Sequence, residues 1–184
     1  MDQRNPPRLR PFSRPVSRLA TRPDVITALR SLIGGFVGIG LVAGLAQHGL
    51  ADTDLTLMIG AFGATAVLLY GTPTSPFAQP YNVLVGHVLS ALIGVSVYLV
   101  LGQADWLAAA LAVSLAIFAM QITRSVHPPG GASALIAVAG SPEIHAMGYS
   151  YAVLPVGLGA LALLLVALVV NNIGVGQHWP RMRP

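Results

Sequence analysis

After a polar, proline-broken start, the chain runs as six apolar segments separated by short polar gaps: 25–48, 55–70, 81–102, 106–123, 131–140 and 151–171. A helix needs about 20 residues to cross a hydrocarbon core of about 30 Å. The first, third and sixth segments are therefore expected to cross unaided, the second and fourth are borderline, and the fifth is too short. At a rise of about 1.5 Å per residue the fifth reaches about half the core, so it is expected to be a half-helix or to continue through the irregular residues before it. The expected fold is an all-α integral membrane bundle of about six hydrophobic helical segments, with four to five full spans and short half-helices.

The two halves of this pattern resemble each other. Residues 63–73 (GATAVLLYGTP) read against 131–142 (GASALIAVAGSP) with one insertion, and 81–84 sits as 151–154 does. Each half is long, short, long. An odd number of crossings per half would turn the second copy upside down relative to the first, so an inverted internal repeat is expected, as in many transporters.

Composition fixes the class. Hydrophobic residues make up 54% and charged residues 9% of the chain, against about 25% charged in a soluble domain. Seven of the ten arginines fall within residues 1–30, so the basic balance marks a tail and offers nucleic acid no face. Residues 1–24 are expected to be a disordered cytoplasmic tail, 25–175 the membrane domain and 176–184 a short basic tail. An organelle leader is the alternative for 1–24, and Asp2 and Asp24 argue against it. If all six segments cross, Arg124, Arg181 and Arg183 share the side of the tail, while Asp52, Asp54, Asp105 and Glu143 face the other. That arrangement follows the positive-inside rule, with both termini cytoplasmic. Arginine without lysine suits a GC-rich genome, and a bacterial inner membrane is the expected location. Without cysteine there is neither a disulfide framework nor a thiolate site.

The chemistry is expected where the hydrophobic regularity breaks, at Arg124-Ser125-Val126-His127-Pro128-Pro129-Gly130-Gly131-Ala132-Ser133. The prolines remove two backbone donors and favour extended geometry before them, and the glycines permit close approach. A short helix starting near Gly131 would present unpartnered N–H groups and the positive end of its dipole to a small anion, with the Ser133 hydroxyl beside them. Arg124, Ser125 and His127 stand just before it, and polar groups at membrane depth are costly unless they serve a pathway or a partner. A proline-kinked interfacial loop with Arg124 reaching lipid phosphates is the alternative. In the first half the matching stretch carries Gly60, Gly63 and Thr65, with Thr65 in the place of Ser133. It is either a second half of the anion site or a close helix crossing.

Other polar residues divide in the same way. The broken stretch 72–82 lines an entrance or forms a cytoplasmic turn, and His87 in the third segment, near Asn82 and Ser90, is a pathway residue or satisfies a neighbour. His48, His145 and His178 lie at segment ends and read as structural. Trp106, Trp179, Tyr149 and Tyr151 suit the interfacial aromatic belt. Asn171 and Asn172 cap the last helix or bond across to another, with capping the leading reading. Scattered histidines without cysteine or spaced carboxylates give no metal ligand set, and no cofactor is expected. Gly131-Ala132-Ser133-Ala134 bears a faint likeness to the serine of rhomboid-type proteases, but no histidine lies on the last helix to act as its base, so no enzyme activity is expected.

Through these residues the chain resembles the HPP family of integral membrane proteins. The resemblance runs over about residues 25–175: GAFGATAVLLYG at 60–71, Pro73, Ser75-Pro76, Ala78-Gln79-Pro80, Asn82-Val83, Gly86-His87, HPPGGASAL at 127–135 and Asn171-Asn172. Gly130 replaces the alanine commonest in that family. The resemblance implies about four spans, fewer than counted above, and some members are implicated in nitrite transport in cyanobacteria and plastids. Relatives with C-terminal CBS domains bind adenine nucleotides; with the sequence ending at Pro184 that regulation is not expected here.

The expected function is thus a transporter or channel for a small inorganic anion, nitrite leading, with His87 or His127 able to carry a coupling proton. A structural or accessory membrane protein is the rival. Glycine-rich faces such as Gly34-Gly35, Gly38 and Gly40 would serve packing within the bundle or a homo-oligomer equally.

Overall fold

The computed structural model describes residues 25–46, 52–173 and 178–180, so the tail expected at 1–24 and most of 176–184 lie outside the described residues. All described secondary structure is helical. The elements are α1 (Val25–Ala46), α2 (Asp52–Ala66) ending in a π-helical turn (Val67–Gly71), α3 (Pro80–Leu101), α4 (Trp106–Ile122), α5 (Gly130–Ala139), a short α6 (Pro142–Met147) and α7 (Leu158–Val170). A second π turn, Ala152–Gly157, leads into α7. Among the described residues three apolar helices are long enough to cross a membrane, Val25–Ala46, Pro80–Leu101 and Ala152–Val170, while Met58–Gly71, Trp106–Ile122 and Gly130–Ala139 are shorter. This is the division of lengths that the hydrophobic pattern predicts.

The boundaries have local causes. Pro80 opens α3, where its missing N–H is not needed, and Gly102 closes it in a left-handed conformation (φ 67°), with its N–H on Tyr98 O at 2.8 Å. Asp105 caps α4 by accepting from Ala108 N at 2.8 Å. Pro155 cannot complete the helical ladder, and the turn around it widens to the π form.

Polar ends inside an apolar bundle must find partners. The last carbonyls of α2 find them on other helices: Asn171 Nδ2 donates to Leu69 O at 3.0 Å and Ser31 Oγ to Tyr70 O at 2.6 Å. Of the two readings for Asn171 its side chain takes the second, satisfying the end of α2 across the bundle and not its own helix. Asn172 grips the chain beyond α7, donating to Trp179 O at 2.7 Å and accepting from Trp179 N at 3.0 Å.

Helix α3 lies at the centre, against α4, α5 and the π turn before α7, while α1 packs on α2 and α7. Its crossing with α5 is a backbone contact. A Cβ on Gly130 would stand 2.7 Å from Gly86 O, and a Cβ on Gly86 would stand 2.7 Å from His127 Cβ. Two helical turns along α3, Gly94 lies against the Ala134 backbone. Helix α4 buries Ala108, Ala112, Ala116 and Met120 along one face and turns Leu107, Leu111, Leu115, Phe118 and Ile122 outward. Small residues toward the bundle and large apolar ones outward are the pattern of a helix in lipid.

Two of the four aromatic residues assigned to the interface belong elsewhere. Trp106 and Tyr149 are exposed, but Trp179 is buried and Tyr151 lies wholly inside, its hydroxyl donating to Ser133 O at 3.1 Å and contacting Met58 Sδ at 3.6 Å. Gly60 and Gly63 give no close crossing: a Cβ on either would meet nothing within 4 Å.

Candidate functional site

Helix α5 begins at Gly130, beside the predicted Gly131, but its opening amides are already engaged. Gly130 N donates to His127 O at 2.8 Å, Gly131 N to Pro128 O at 3.1 Å and Ala132 N to Pro129 O at 3.1 Å. The prolines are the reason. Pro129 adopts helical angles (φ −63°, ψ −18°), so the two prolines act as a first turn whose carbonyls take up the donors expected to face an anion. Arg124, the only expected charge at this site, is exposed and turns the chain with φ 55°.

What the break in regularity does instead is bury an imidazole. His127 points into the bundle, fully enclosed, with Nδ1 2.8 Å from Phe77 O and Nε2 3.0 Å from Thr65 Oγ1. The same Thr65 hydroxyl lies 2.8 Å from Nε2 of His87, and His87 Nδ1 lies 2.8 Å from Ser133 Oγ. Thr65 comes from α2, His87 from α3, Ser133 from α5 and His127 from the turn before α5. All four are buried, and Phe62 lies beside the His87 ring with centroids 5.2 Å apart. The two hydroxyls that occupy matching places in the two halves of the sequence thus hold opposite edges of one imidazole.

Neighbouring contacts fix the loops around this line. Asn82 Nδ2 holds Val126 O at 2.9 Å, and Gln79 Nε2 holds Pro73 O at 3.0 Å and Ser75 O at 2.8 Å. The broken stretch 72–82 is therefore a folded wall that presents Phe77 O to His127. Ser125 is buried but bonds to Thr123 Oγ1 at 2.7 Å, away from the imidazoles. Pro128 is exposed and Pro129 buried; a Cβ on Gly131 would make only ordinary contact with Val113. Of the predicted residues, the structure brings together Thr65, His87, His127 and Ser133 with Gly130 packed close by, and it leaves Arg124, Gly60 and Gly63 apart.

Three features escaped the sequence reading. Ser90, one turn beyond His87, is buried and its hydroxyl has no hydrogen-bond partner among the described residues. Asp54, assigned to the outer side as a loop charge, is buried at 1% exposure, accepting from Ser141 N at 3.0 Å and from the Ser141 hydroxyl. The last helix holds no histidine near Ser133, but His87 on the earlier helix α3 contacts its hydroxyl. Apart from the Thr65–Ser133 correspondence, no sequence signal marked these contacts. Among the described residues no group of histidines and carboxylates is placed to hold a metal ion.

Comparison with known proteins agrees with this picture of a membrane domain built around the His-Pro-Pro element. The profile of the HPP transmembrane region matches residues 20–180. The chain belongs to the HPP family. It is 43% identical over 161 residues to one transmembrane protein of Dictyostelium discoideum, covering 86% of this chain and 56% of that protein. A second transmembrane protein of the same organism is 44% identical over 153 residues, covering 82% of this chain and 49% of the relative. This HPP chain thus spans about half the length of the curated relatives it matches. No solved structure matches it significantly.

Proposed function

We propose that this HPP protein is a membrane transporter or channel for a small monovalent anion, with nitrite the leading candidate, and that the solute passes beside the polar core at His87. The observation that carries the reading is the line Ser133–His87–Thr65–His127 through an otherwise apolar bundle, with the unbonded Ser90 hydroxyl one turn away. Polar side chains at membrane depth are costly and mark pathways more often than not. Neutral donors suit an anion that must be released as well as bound. Asp54, the buried carboxylate, has both oxygens engaged by Ser141. The matching positions of Thr65 and Ser133 favour an inverted repeat of six segments, with both termini cytoplasmic by the distribution of arginine. The bacterial inner membrane rests on arginine usage alone.

The closing test is flux into vesicles containing the purified chain. Nitrite uptake that falls in His127→Gln supports the reading, and no flux of nitrite, nitrate, formate or chloride overturns it.

The mutual satisfaction of the four side chains favours a second reading, a structural lock in a membrane protein without transport activity. In that case Arg124→Gln and His127→Gln change stability alone. An enzyme fits the geometry less well. The Ser133–His87 contact resembles a nucleophile and its base, but His87 Nε2 faces a hydroxyl, where an activated imidazole needs a carboxylate to hold its charge. Covalent labelling of Ser133 by a fluorophosphonate would overturn this assignment.

A further inference from the structure

Hydrogen-bond accounting gives the buried line a direction. Phe77 O can only accept, so His127 carries its hydrogen on Nδ1 and offers a lone pair at Nε2. Thr65 then donates to His127 Nε2, and its oxygen accepts from Nε2–H of His87. His87 Nδ1 is left as an acceptor, which the Ser133 hydroxyl fills. The donors run one way from Ser133 to Phe77 O, each distance between 2.8 and 3.0 Å.

We propose that Ser133, His87, Thr65 and His127 form a proton relay polarised toward His127, with the Thr65 hydroxyl as its switching element. When water delivers an excess proton to the Ser133 oxygen, the original Ser133 O–H bond breaks as an N–H bond forms on His87 Nδ1, and the His87 Nε2–H bond breaks as an O–H bond forms on Thr65. The original Thr65 O–H bond breaks as an N–H bond forms on His127 Nε2. The charge has then moved from Ser133 through His87 to His127; Thr65 again holds one hydrogen, now directed at His87, and His87 is neutral with its hydrogen on Nδ1. No heavy atom has to move. Thr65 Oγ1 also lies 3.2 Å from Ala61 O, which gives the hydroxyl an acceptor to rotate through as the relay resets.

The other titratable groups near the line are accounted for. Tyr151, from the turn before α7, bonds to Ser133 O and so abuts the entry end. Asp54 on α2 is bound by Ser141 and lies within electrostatic reach of Tyr151, Arg124 is exposed on the turn before His127, and His145 stacks on Tyr98 while bonding Val138 O at 3.0 Å. Among the described residues neither imidazole forms an ion pair, so the rings themselves hold the proton. Coupling of its movement to a solute rests on the transport reading above, whereas the relay rests on the hydrogen bonds.

The test uses the whole chain in lipid vesicles carrying an internal pH dye, driven by a potassium diffusion potential, with and without a nitrite gradient. Proton movement should fall about tenfold or more in Thr65→Val and persist in Thr65→Ser, by analogy with the loss of a positioned proton-transfer group. Nitrogen-15 spectra of histidine-labelled protein in bilayers should show His127 protonated at Nδ1 and His87 at Nε2. Equal proton movement in wild type and Thr65→Val overturns the relay, as does its absence from wild type or a His127 protonated at Nε2 alone. Nitrite flux without proton movement leaves the transport reading standing and removes the relay. Proton movement that depends on Thr65 without any anion flux does the reverse. If Thr65→Val fails to fold, the histidine spectra decide.

Discussion

The rings of His87 and His127 lie with centroids 4.8 Å apart and planes inclined by 58°, their Nε2 atoms sharing the hydroxyl of Thr65. Two positive charges at that spacing would repel by about 3 kcal/mol at an effective dielectric of about 20. The pair is thus built to hold at most one excess proton, and the shared hydroxyl is what allows either ring to hold it.

Thr65→Val keeps the shape of the side chain and deletes that hydroxyl, leaving two buried ring nitrogens facing a methyl group. Unpaired buried polar groups cost about 1–3 kcal/mol. Thermal unfolding in detergent should show a loss of that size, while Thr65→Ser, which keeps the oxygen, should lose less. A valine variant as stable as wild type would mean that the imidazoles do not depend on this contact.

The glycines separate into two kinds that one measurement can distinguish. Gly86→Ala would drive a methyl group to 2.7 Å from His127 Cβ and 2.9 Å from Ser125 O, and overpacking of this sort costs about 1–3 kcal/mol. Gly60→Ala meets nothing within 4 Å and replaces a helical glycine, so it should be neutral or stabilising by up to about 1 kcal/mol. Similar losses in both variants would contradict the packing described for α3 and α5.

The contrast also shows how far sequence can be read. Helix lengths follow from apolar runs, because lipid admits few alternatives to a hydrogen-bonded helix, and the short α5 was legible for that reason. The meeting of Thr65, His87 and Ser133 was legible only as a list of costly residues: which ring nitrogen faces which hydroxyl depends on how α2, α3 and α5 cross. The helix-start anion site was misread because two prolines can form a helical first turn as well as break one. Asp54 and Tyr151 were placed at the surface by type, and their burial depends on partners, Ser141 and Ser133, that are distant in sequence.

A second helix contact tests the α1 face. A Cβ on Gly38 would collide with the Tyr70 hydroxyl and reach 3.0 Å from Leu163 Cδ2, and that hydroxyl donates to Leu163 O at 3.1 Å. Gly38→Ala should destabilise, Tyr70→Phe should cost about 1 kcal/mol for the lost hydrogen bond, and the double variant should be more stable than their sum. Strict additivity in a melting experiment would place Gly38 and Tyr70 out of contact.

Asn171→Ala removes the partner of Leu69 O at the π end of α2. Hydrogen bonds between membrane helices contribute about 0.6 kcal/mol on average and up to about 1.7 kcal/mol, so a loss within that range is expected in detergent unfolding. Ser31→Ala, which frees the neighbouring Tyr70 O, should act alike, since each leaves one helix-end carbonyl without its partner. Faster hydrogen exchange in either variant should be confined to the end of α2.

Asp54 joins the first turn of α2 to the start of α6 through two hydrogen bonds to Ser141, whose own hydroxyl also accepts from Glu143 N at 3.2 Å. Asp54→Ala removes both acceptors and leaves the part-buried Ser141 N–H and O–H beside a methyl group, so a loss of up to about 1.5–3 kcal/mol is expected, as for hydrogen bonds to charged groups. Asp54→Asn retains one acceptor for Ser141 N and can donate from Nδ2 to the Ser141 oxygen, so it should recover most of that loss. The readout is melting temperature together with protease sensitivity at 141–147. An alanine variant with unchanged melting and an unchanged cleavage pattern would show that α6 is held by its apolar contacts, chiefly the buried Ile144, and not by the carboxylate.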